Sequence, residues 1–292
     1  MKYNIIEENN NIIIKNIKNF IPEHIFECGQ CFRWKKNEDG SYTVVAYKRV
    51  INVFKNGNDL YIRNTNMKDF KEIWYDYFDL DTDYEEIKRK LSNDKVLKEA
   101  IKFGEGIRIL NQDEWEILIS FIISANNRIP MIKRAIEKLS KEYGEFIETF
   151  EGKDYYTFPK AKDLYNLTIE DVKKCSTGFR AKYIVKAAKI VHNKEINLYN
   201  IKNLQTDKAR KDLMKFSGVG PKVSDCIMLF SMNKRDAFPI DVWVKRIMEY
   251  FYLDSDEKLK NIQKYAQNKF MDLAGFAQQY LFYYARELGI GK

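Results

Sequence analysis

A lysine, a pair of glycines and an aspartate are spaced along this chain in a way that suits attack on carbon. The stretch FSGVGPKVSDC, residues 216–226, places Lys222 directly after Pro221. Proline is favoured at the first position of a helix, which makes Lys222 the second residue. The open N–H groups and the dipole at that end favour anions and disfavour an ammonium. A lysine there either turns out to solvent or serves as a neutral amine. A neutral amine is a nucleophile that can form a Schiff base with a sugar or carbonyl carbon. Nineteen residues downstream, FPIDVWVKR puts Asp241 where an N-cap belongs, and the helix end keeps that carboxylate ionised.

The elements around these residues read as helix, hairpin, helix over about residues 208–232. Leu213-Met214-Lys215-Phe216 ends a short helix, Ser217-Gly218-Val219-Gly220 turns, and Pro221 starts the next helix. The two glycines let the backbone approach a phosphate, and the following helix offers N–H groups to hold it. Between residues 160 and 250, 19 Lys and Arg stand against 10 Asp and Glu, a local surplus of nine in a chain of net charge +8. A basic surface of this kind fits either nucleic-acid phosphates or a solvated lysine-rich face. Within it, the stretch from Phe179 to His192 carries Lys182, Lys186 and Lys189 along one flank of a helix. The turn before it, Ser176-Thr177-Gly178-Phe179-Arg180, presents an aromatic ring and an arginine together.

The rest of the chain supplies the frame. YTVVAY, VINVF and LYIR, with turn signals at Glu38-Asp39-Gly40 and Asn56-Gly57-Asn58, predict an antiparallel sheet from Asn11 to about Arg63. Apolar spacings of three and four residues predict helices from there on. The expected fold class is α+β: an N-terminal sheet domain over 1–100 and a helical region over 101–292. Residues 236–292 of that region carry the Asp241 segment and the C-terminal helices. The longest apolar run, Ile117 to Ala125, holds two serines and reads as a buried helix, and no run reaches membrane-spanning length. The opening MKYNIIEENN lacks the pattern of a secretory leader, and four cysteines in 292 residues fit a reducing cytoplasm. With two histidines, a His-rich metal site is not expected. Cys28-Gly29-Gln30-Cys31 lacks the companion ligands that zinc requires, and with no cysteine beyond Cys226 a C-terminal iron–sulfur cluster is not expected either.

The pairing of Gly-Val-Gly-Pro-Lys with Pro-Ile-Asp-Val resembles the helix-hairpin-helix, glycine/proline-rich, aspartate signature of the base-excision DNA glycosylases. Further stretches are similar to the 8-oxoguanine DNA glycosylase family: Gly29-Gln30-Cys31-Phe32-Arg33-Trp34, the run Gly106 to Asp113, Ile123-Ser124-Ala125-Asn126-Asn127 and Ala277-Gln278-Gln279-Tyr280-Leu281-Phe282. The resemblance implies two packed helical lobes behind the sheet, an active site in the cleft between them, and a bifunctional glycosylase and AP lyase acting on 8-oxoguanine in double-stranded DNA. It implies that Lys222 attacks C1′ while Asp241 stabilises the developing charge. Phe282 and Cys226 would sandwich the extruded base, Gln278 would read its Watson–Crick edge, and the carbonyl of Gly29 would accept from N7–H. Phe179 would fill the vacated stack, with Asn126 and Arg180 on the estranged cytosine. Gly218, Val219, Gly220 and Trp243 would meet DNA phosphate, and the carbonyls of Met214, Phe216 and Val219 would hold a monovalent cation. No other cofactor is implied, and the protein is expected to act as a monomer, associated with the nucleoid in a prokaryotic cell.

Departures from the family pattern carry expectations too. Met131 stands where animal-type members place a second arginine on the cytosine, and Arg128 replaces the third asparagine of their run. Methionine cannot donate a hydrogen bond, so the preference for cytosine opposite the lesion is expected to be relaxed. Trp243 and Ala285 replace a His and an Asp that support each other in those members. Two rival readings stand beside this one. A monofunctional alkylbase glycosylase shares the fold and the aspartate but lacks the lysine, and a non-catalytic helix-hairpin-helix protein grips phosphate alone.

Overall fold

Alternating apolar residues in the first quarter of the chain pair into one antiparallel sheet, seen in a computed structural model that describes residues 2–253 and 256–289. Its strands are β1 (Ile5–Glu8), β2 (Asn11–Ile14), β3 (Trp34–Lys36), β4 (Tyr42–Ala46), β5 (Arg49–Asn56) and β6 (Asp59–Arg63), in the spatial order β1-β2-β6-β5-β4-β3. The anticipated turns sit at hairpin tips. Gly40, at φ 82°, lies between β3 and β4, and Gly57, at φ 59°, lies between β5 and β6. The β4–β5 turn is made by Tyr47 and Lys48, both at positive φ, which no glycine or asparagine signals. β1 lies outside the Asn11 to Arg63 span read from the sequence, and β2 and β3 lie inside it but outside its three named strand stretches. A small helix, α1 (Pro22–Phe26), leads into the loop that carries Gly29.

Beyond the sheet the chain is mainly helical. The longer helices are α2 (Tyr84–Leu91), α3 (Lys95–Phe103), α4 (Glu114–Ser124), α5 (Ile129–Tyr143), α6 (Ala181–His192), α7 (Thr206–Leu213), α8 (Pro221–Ser231), α9 (Val242–Phe251), α10 (Leu259–Phe270) and α11 (Ala274–Leu288). One two-stranded hairpin, β7 (Phe146–Phe150) with β8 (Lys153–Tyr156), interrupts them and has no counterpart in the sequence-based reading. Helix α4 is apolar on nearly all sides and is buried along almost its whole length, as its composition predicts. Residues 254, 255 and 290–292 of the expected helical region lie outside the described residues. No helix among the described residues is long and apolar enough to cross a membrane.

Two cores result. One joins the sheet residues Ile12, Tyr42, Val44, Ile51, Val53 and Ile62 to Phe70, Trp74 and Phe78. The other fills the helical region around Leu118, Ile119 and Ile122. They interlock, because Cys28 and Phe32 pack into the helical core while Leu110 packs into the sheet core. The Gly29 loop is therefore held from both sides.

Candidate active site

The hairpin has the form its residues predict. Helix α7 ends at Leu213, Gly218 takes φ 88°, and Gly220 caps α8 with Pro221 in the first turn, so Lys222 is the second residue of α8. Gly218 is required twice over. Its φ favours glycine, and a Cβ there would lie 2.9 Å from Cγ and Cδ2 of Tyr183 on α6. Phe216 and Val219 are buried and Met214 is exposed; the Phe216 carbonyl already accepts a hydrogen bond from Val219 N–H at 3.1 Å.

Lys222 is half-buried, with its Nζ 5.3 Å from the centroid of Phe121. Phe121 stacks on Phe230 at 5.6 Å and meets Phe32 edge-on at 5.5 Å, so an aromatic floor reaches from the amine to the Gly29 loop. One turn further along α8 the Cys226 thiol is 3% exposed, and burial pushes it up to about 11. The Lys222 amine pulls that thiol down through its charge and a hydrogen bond, while the Asp225 and Asp241 charges raise it, so both Lys222 and Asp241 act on Cys226. Asp241 caps α9, its Oδ1 accepting from Val244 N–H at 2.8 Å. Trp243, two residues on, lies 5.7 Å from the guanidinium carbon of Arg246.

Helix α11 carries Gln278, Phe282 and Ala285 along one face. Gln278 is 4% exposed, and its Oε1 accepts from Gln279 Nε2 at 2.8 Å, which orients the amide. Gly29 takes φ 83°, and a Cβ there would touch Cε1 of Phe282 at 3.4 Å. Gln30 anchors that turn: its Nε2 donates to the carbonyls of Ile25 and Arg108 at 2.9 and 2.7 Å, and its Oε1 accepts from Leu110 N–H at 2.8 Å. Two residues not singled out from the sequence complete the wall. Phe121 lies under the lysine. Arg286 donates to the Glu27 carbonyl at 2.6 Å and lies 5.5 Å from the Phe282 ring. The spacing Phe282 to Arg286, one helical turn, is the only local signal for it.

The residues expected to act as wedge and on the estranged base form a second group. A 3₁₀ turn, Gly178–Arg180, precedes α6, so the anticipated helix begins later than Phe179. Phe179 is 54% exposed and is therefore not core. The buried Arg180 guanidinium lies 4.4 Å from its ring and donates to the carbonyls of Ala125 and Asn126 at 2.6–2.9 Å. Asn126, exposed and at φ 51°, and the exposed Met131 lie on the same edge, at the end of α4 and the start of α5. Lys182, Lys186 and Lys189 are all exposed along α6.

The Cys28 and Cys31 thiols are buried, unpaired with each other and raised by burial. Among the described residues no group of three or more His, Cys, Asp or Glu is arranged to hold a metal ion. Clefts of about 610 and 580 Å³ open elsewhere, beside Trp34 and Lys133 and beside Asp94 and Tyr252, and Lys222, Asp241 and Gln278 line neither. Convergent chemistry, not volume, marks the site.

An antiparallel sheet, a helical body with a glycine hairpin, a lysine on the helix after it and a capping aspartate define the class of helix-hairpin-helix base-excision proteins. Residues 12–118 match the model of the 8-oxoguanine DNA glycosylase N-terminal domain, and residues 119–272 match that of the HhH-GPD superfamily of base excision DNA repair proteins. The chain belongs to that superfamily, in the branch that carries the 8-oxoguanine DNA glycosylase N-terminal domain. It is 33% identical to a probable N-glycosylase/DNA lyase of Methanothermobacter thermautotrophicus, over 73% of this chain and 74% of that one. It is 32% identical to the N-glycosylase/DNA lyase of Saccharomyces cerevisiae, over 80% and 69%. The 8-oxoguanine glycosylase/lyase of Clostridium acetobutylicum, solved with double-stranded DNA containing cytosine opposite 8-oxoguanine, is 50% identical. Its structure superposes with a TM-score of 0.97 over 99% of this chain and 100% of that one.

Proposed function

We propose that this protein excises 8-oxoguanine from double-stranded DNA and then cleaves the strand. The observation that carries this is the amine of Lys222 at the second position of α8, over Phe121 and beside the Cys226 thiol, on which the Asp241 charge also acts. The Lys222 amine bonds to C1′ as the bond from C1′ to the base breaks, and the base leaves with one of the two amine protons. Transfer of the other to O4′ as the C1′–O4′ bond breaks opens the sugar ring and gives an imine. The imine acidifies the C2′ proton, whose loss expels the 3′ phosphate by β-elimination. Asp241, fixed by its capping bond, stabilises the positive charge that develops on the sugar.

The lesion is read after extrusion. Phe282 and Cys226 flank it, Gln278 reads its Watson–Crick edge, and the Gly29 carbonyl accepts the N7–H that guanine lacks. Gly218, Val219, Gly220 and Trp243 hold phosphate, Phe179 fills the gap, and Asn126 with Arg180 faces the estranged base. The carbonyls of Met214, Phe216 and Val219 hold a monovalent cation, and no other cofactor takes part. The enzyme acts as a monomer in the cytoplasm. Exposed Met131 adds no donor toward the opposite base, so cytosine is only weakly preferred there.

Borohydride trapping on an 8-oxoguanine duplex tests the proposal. Wild type forms a covalent complex and Lys222→Gln forms none, while absence of an adduct with wild type refutes the mechanism. Repeating the assay with each of the four bases opposite the lesion gives rates within about tenfold of one another, because Met131 cannot make a second donor pairing, which would add about 1–3 kcal/mol, roughly 5- to 150-fold, of discrimination. A strong cytosine preference overturns the relaxed pairing.

A further inference from the structure

The hairpin and the wedge meet on one ring. Tyr183 lies directly over the Gly218 backbone, close enough that a Cβ at that glycine would be 2.9 Å from Cγ and Cδ2. The same ring meets Phe179 edge-on, with centroids 6.4 Å apart and planes at 89°, and Lys182 Nζ lies 5.0 Å from its centroid. Tyr183 is half-buried against the helical core, whereas Phe179 projects into solvent. One side chain thus touches both the hairpin glycine and the wedge ring.

We propose that Tyr183 is a positioning residue that sets the height of the Phe179 wedge above the hairpin, and so serves extrusion of the lesion rather than the bond-breaking steps. The inference rests on the glycosylase reading above. Extrusion costs a few kcal/mol and needs two things at once, a grip on the lesion strand and a side chain that fills the vacated stack. The two act as one only when their separation is fixed, and an error of about 1 Å costs as much as 100-fold. A planar ring wedged against a glycine backbone is stiff in a way that a flexible side chain is not. The ring carbons make this approach, so the Tyr183 hydroxyl is dispensable.

An abasic site has no base to unstack, which separates the two roles. Tyr183→Ala is expected to slow single-turnover release of 8-oxoguanine by about tenfold or more. Strand cleavage at a preformed abasic site should stay within about twofold of wild type, because the chemistry of Lys222 and Asp241 is untouched. Tyr183→Phe should keep both rates, and placing the lesion in a mispair that unstacks easily should restore Tyr183→Ala. If Tyr183→Ala fails to fold by thermal melting, Tyr183→Leu carries the same comparison. Equal losses on both substrates, or wild-type rates on both, overturn the inference alone. Wild type that releases no 8-oxoguanine overturns the functional reading and this inference with it.

Discussion

Two glycine turns contribute to the candidate site and are built in opposite ways. The hairpin from Phe216 to Pro221 takes its shape locally, with the Tyr183 ring of α6 packed on it: Gly218 at φ 88°, Gly220 as cap and Pro221 in the first turn start α8 and set Lys222. The turn at Gly29 is assembled by partners far along the chain. Gln30 bonds to residues 25, 108 and 110, Arg286 bonds to Glu27, and Phe282 closes on Gly29. The first turn carries the lysine proposed to break the bond. The second carries the carbonyl proposed to tell one base from another. Nucleophilic chemistry needs one residue in one electrostatic position, whereas discrimination between bases that differ by a single hydrogen bond needs a rigid wall, and rigidity comes from packing.

The comparison breaks most sharply at Asp241. Asp241→Asn keeps a capping side chain, so stability should change little. Base release in single turnover is expected to fall about 100-fold or more, the scale of removing one electrostatic group that faces the transition state. A fall in melting temperature with the rate preserved would assign Asp241 to the cap alone.

Gly29→Ala should divide the two turns. Glycine is favoured at φ 83°, and the added methyl meets Phe282 at 3.4 Å. Release of 8-oxoguanine is expected to drop roughly tenfold, from about 1–2 kcal/mol of strain and displaced ring, while cleavage of a preformed abasic site stays near wild type. If both fall together, the Gly29 turn supports the lysine as well as the base.

A pH series sharpens the same contrast. Glu116 on α4 lies 3.6 Å from Arg33, just after the Gly29 turn, and burial pushes its carboxyl up to about 7 from 4.5. The folded state then holds this proton more tightly than the unfolded chain, so the contribution is fully present below pH 4.5 and is lost as pH rises through about 7. Glu116→Gln should flatten that slope, by about 1–3 kcal/mol across the window, read from urea midpoints at pH 5 and pH 8. An unchanged slope would remove Glu116 as its source.

The smallest effect concerns the basic flank. Replacing Lys182, Lys186 and Lys189 by Gln should weaken binding to every duplex alike, by a few fold at low salt, and reduce the slope of log affinity against log salt by about one for each phosphate no longer neutralised. Weakening confined to lesion DNA would place these lysines in recognition.

Which parts were legible follows the same division. The strands β4, β5 and β6, the turns at Gly40 and Gly57, helix α4, the hairpin and the Asp241 cap all rest on neighbours within a few residues, and a linear pattern records them. β3, which has only Trp34, Lys35 and Lys36, and the β4–β5 turn at Tyr47 and Lys48 carry no such signal. Nor does the β7–β8 hairpin, whose residues are mostly exposed and whose register shifts at Phe146 and Glu148. Arg180 read as a DNA-facing residue, and the fold also commits its guanidinium to the Ala125 and Asn126 carbonyls. Phe121, Gln30 and Arg286 were invisible as site builders because their partners come from other elements.

The sequence by itself determined the kind of chemistry: an amine on the first turn of a helix behind two glycines, a capped carboxylate nineteen residues on, and a local excess of positive charge. Those properties depend on helix ends and turn conformations, which short segments specify. Only the tertiary structure decided that the amine stands over Phe121 beside Cys226, that Gly29 closes on Phe282, and that the Tyr183 ring meets both the hairpin glycine and Phe179. Side chains far apart in the chain meet only when the cores of sheet and helices close.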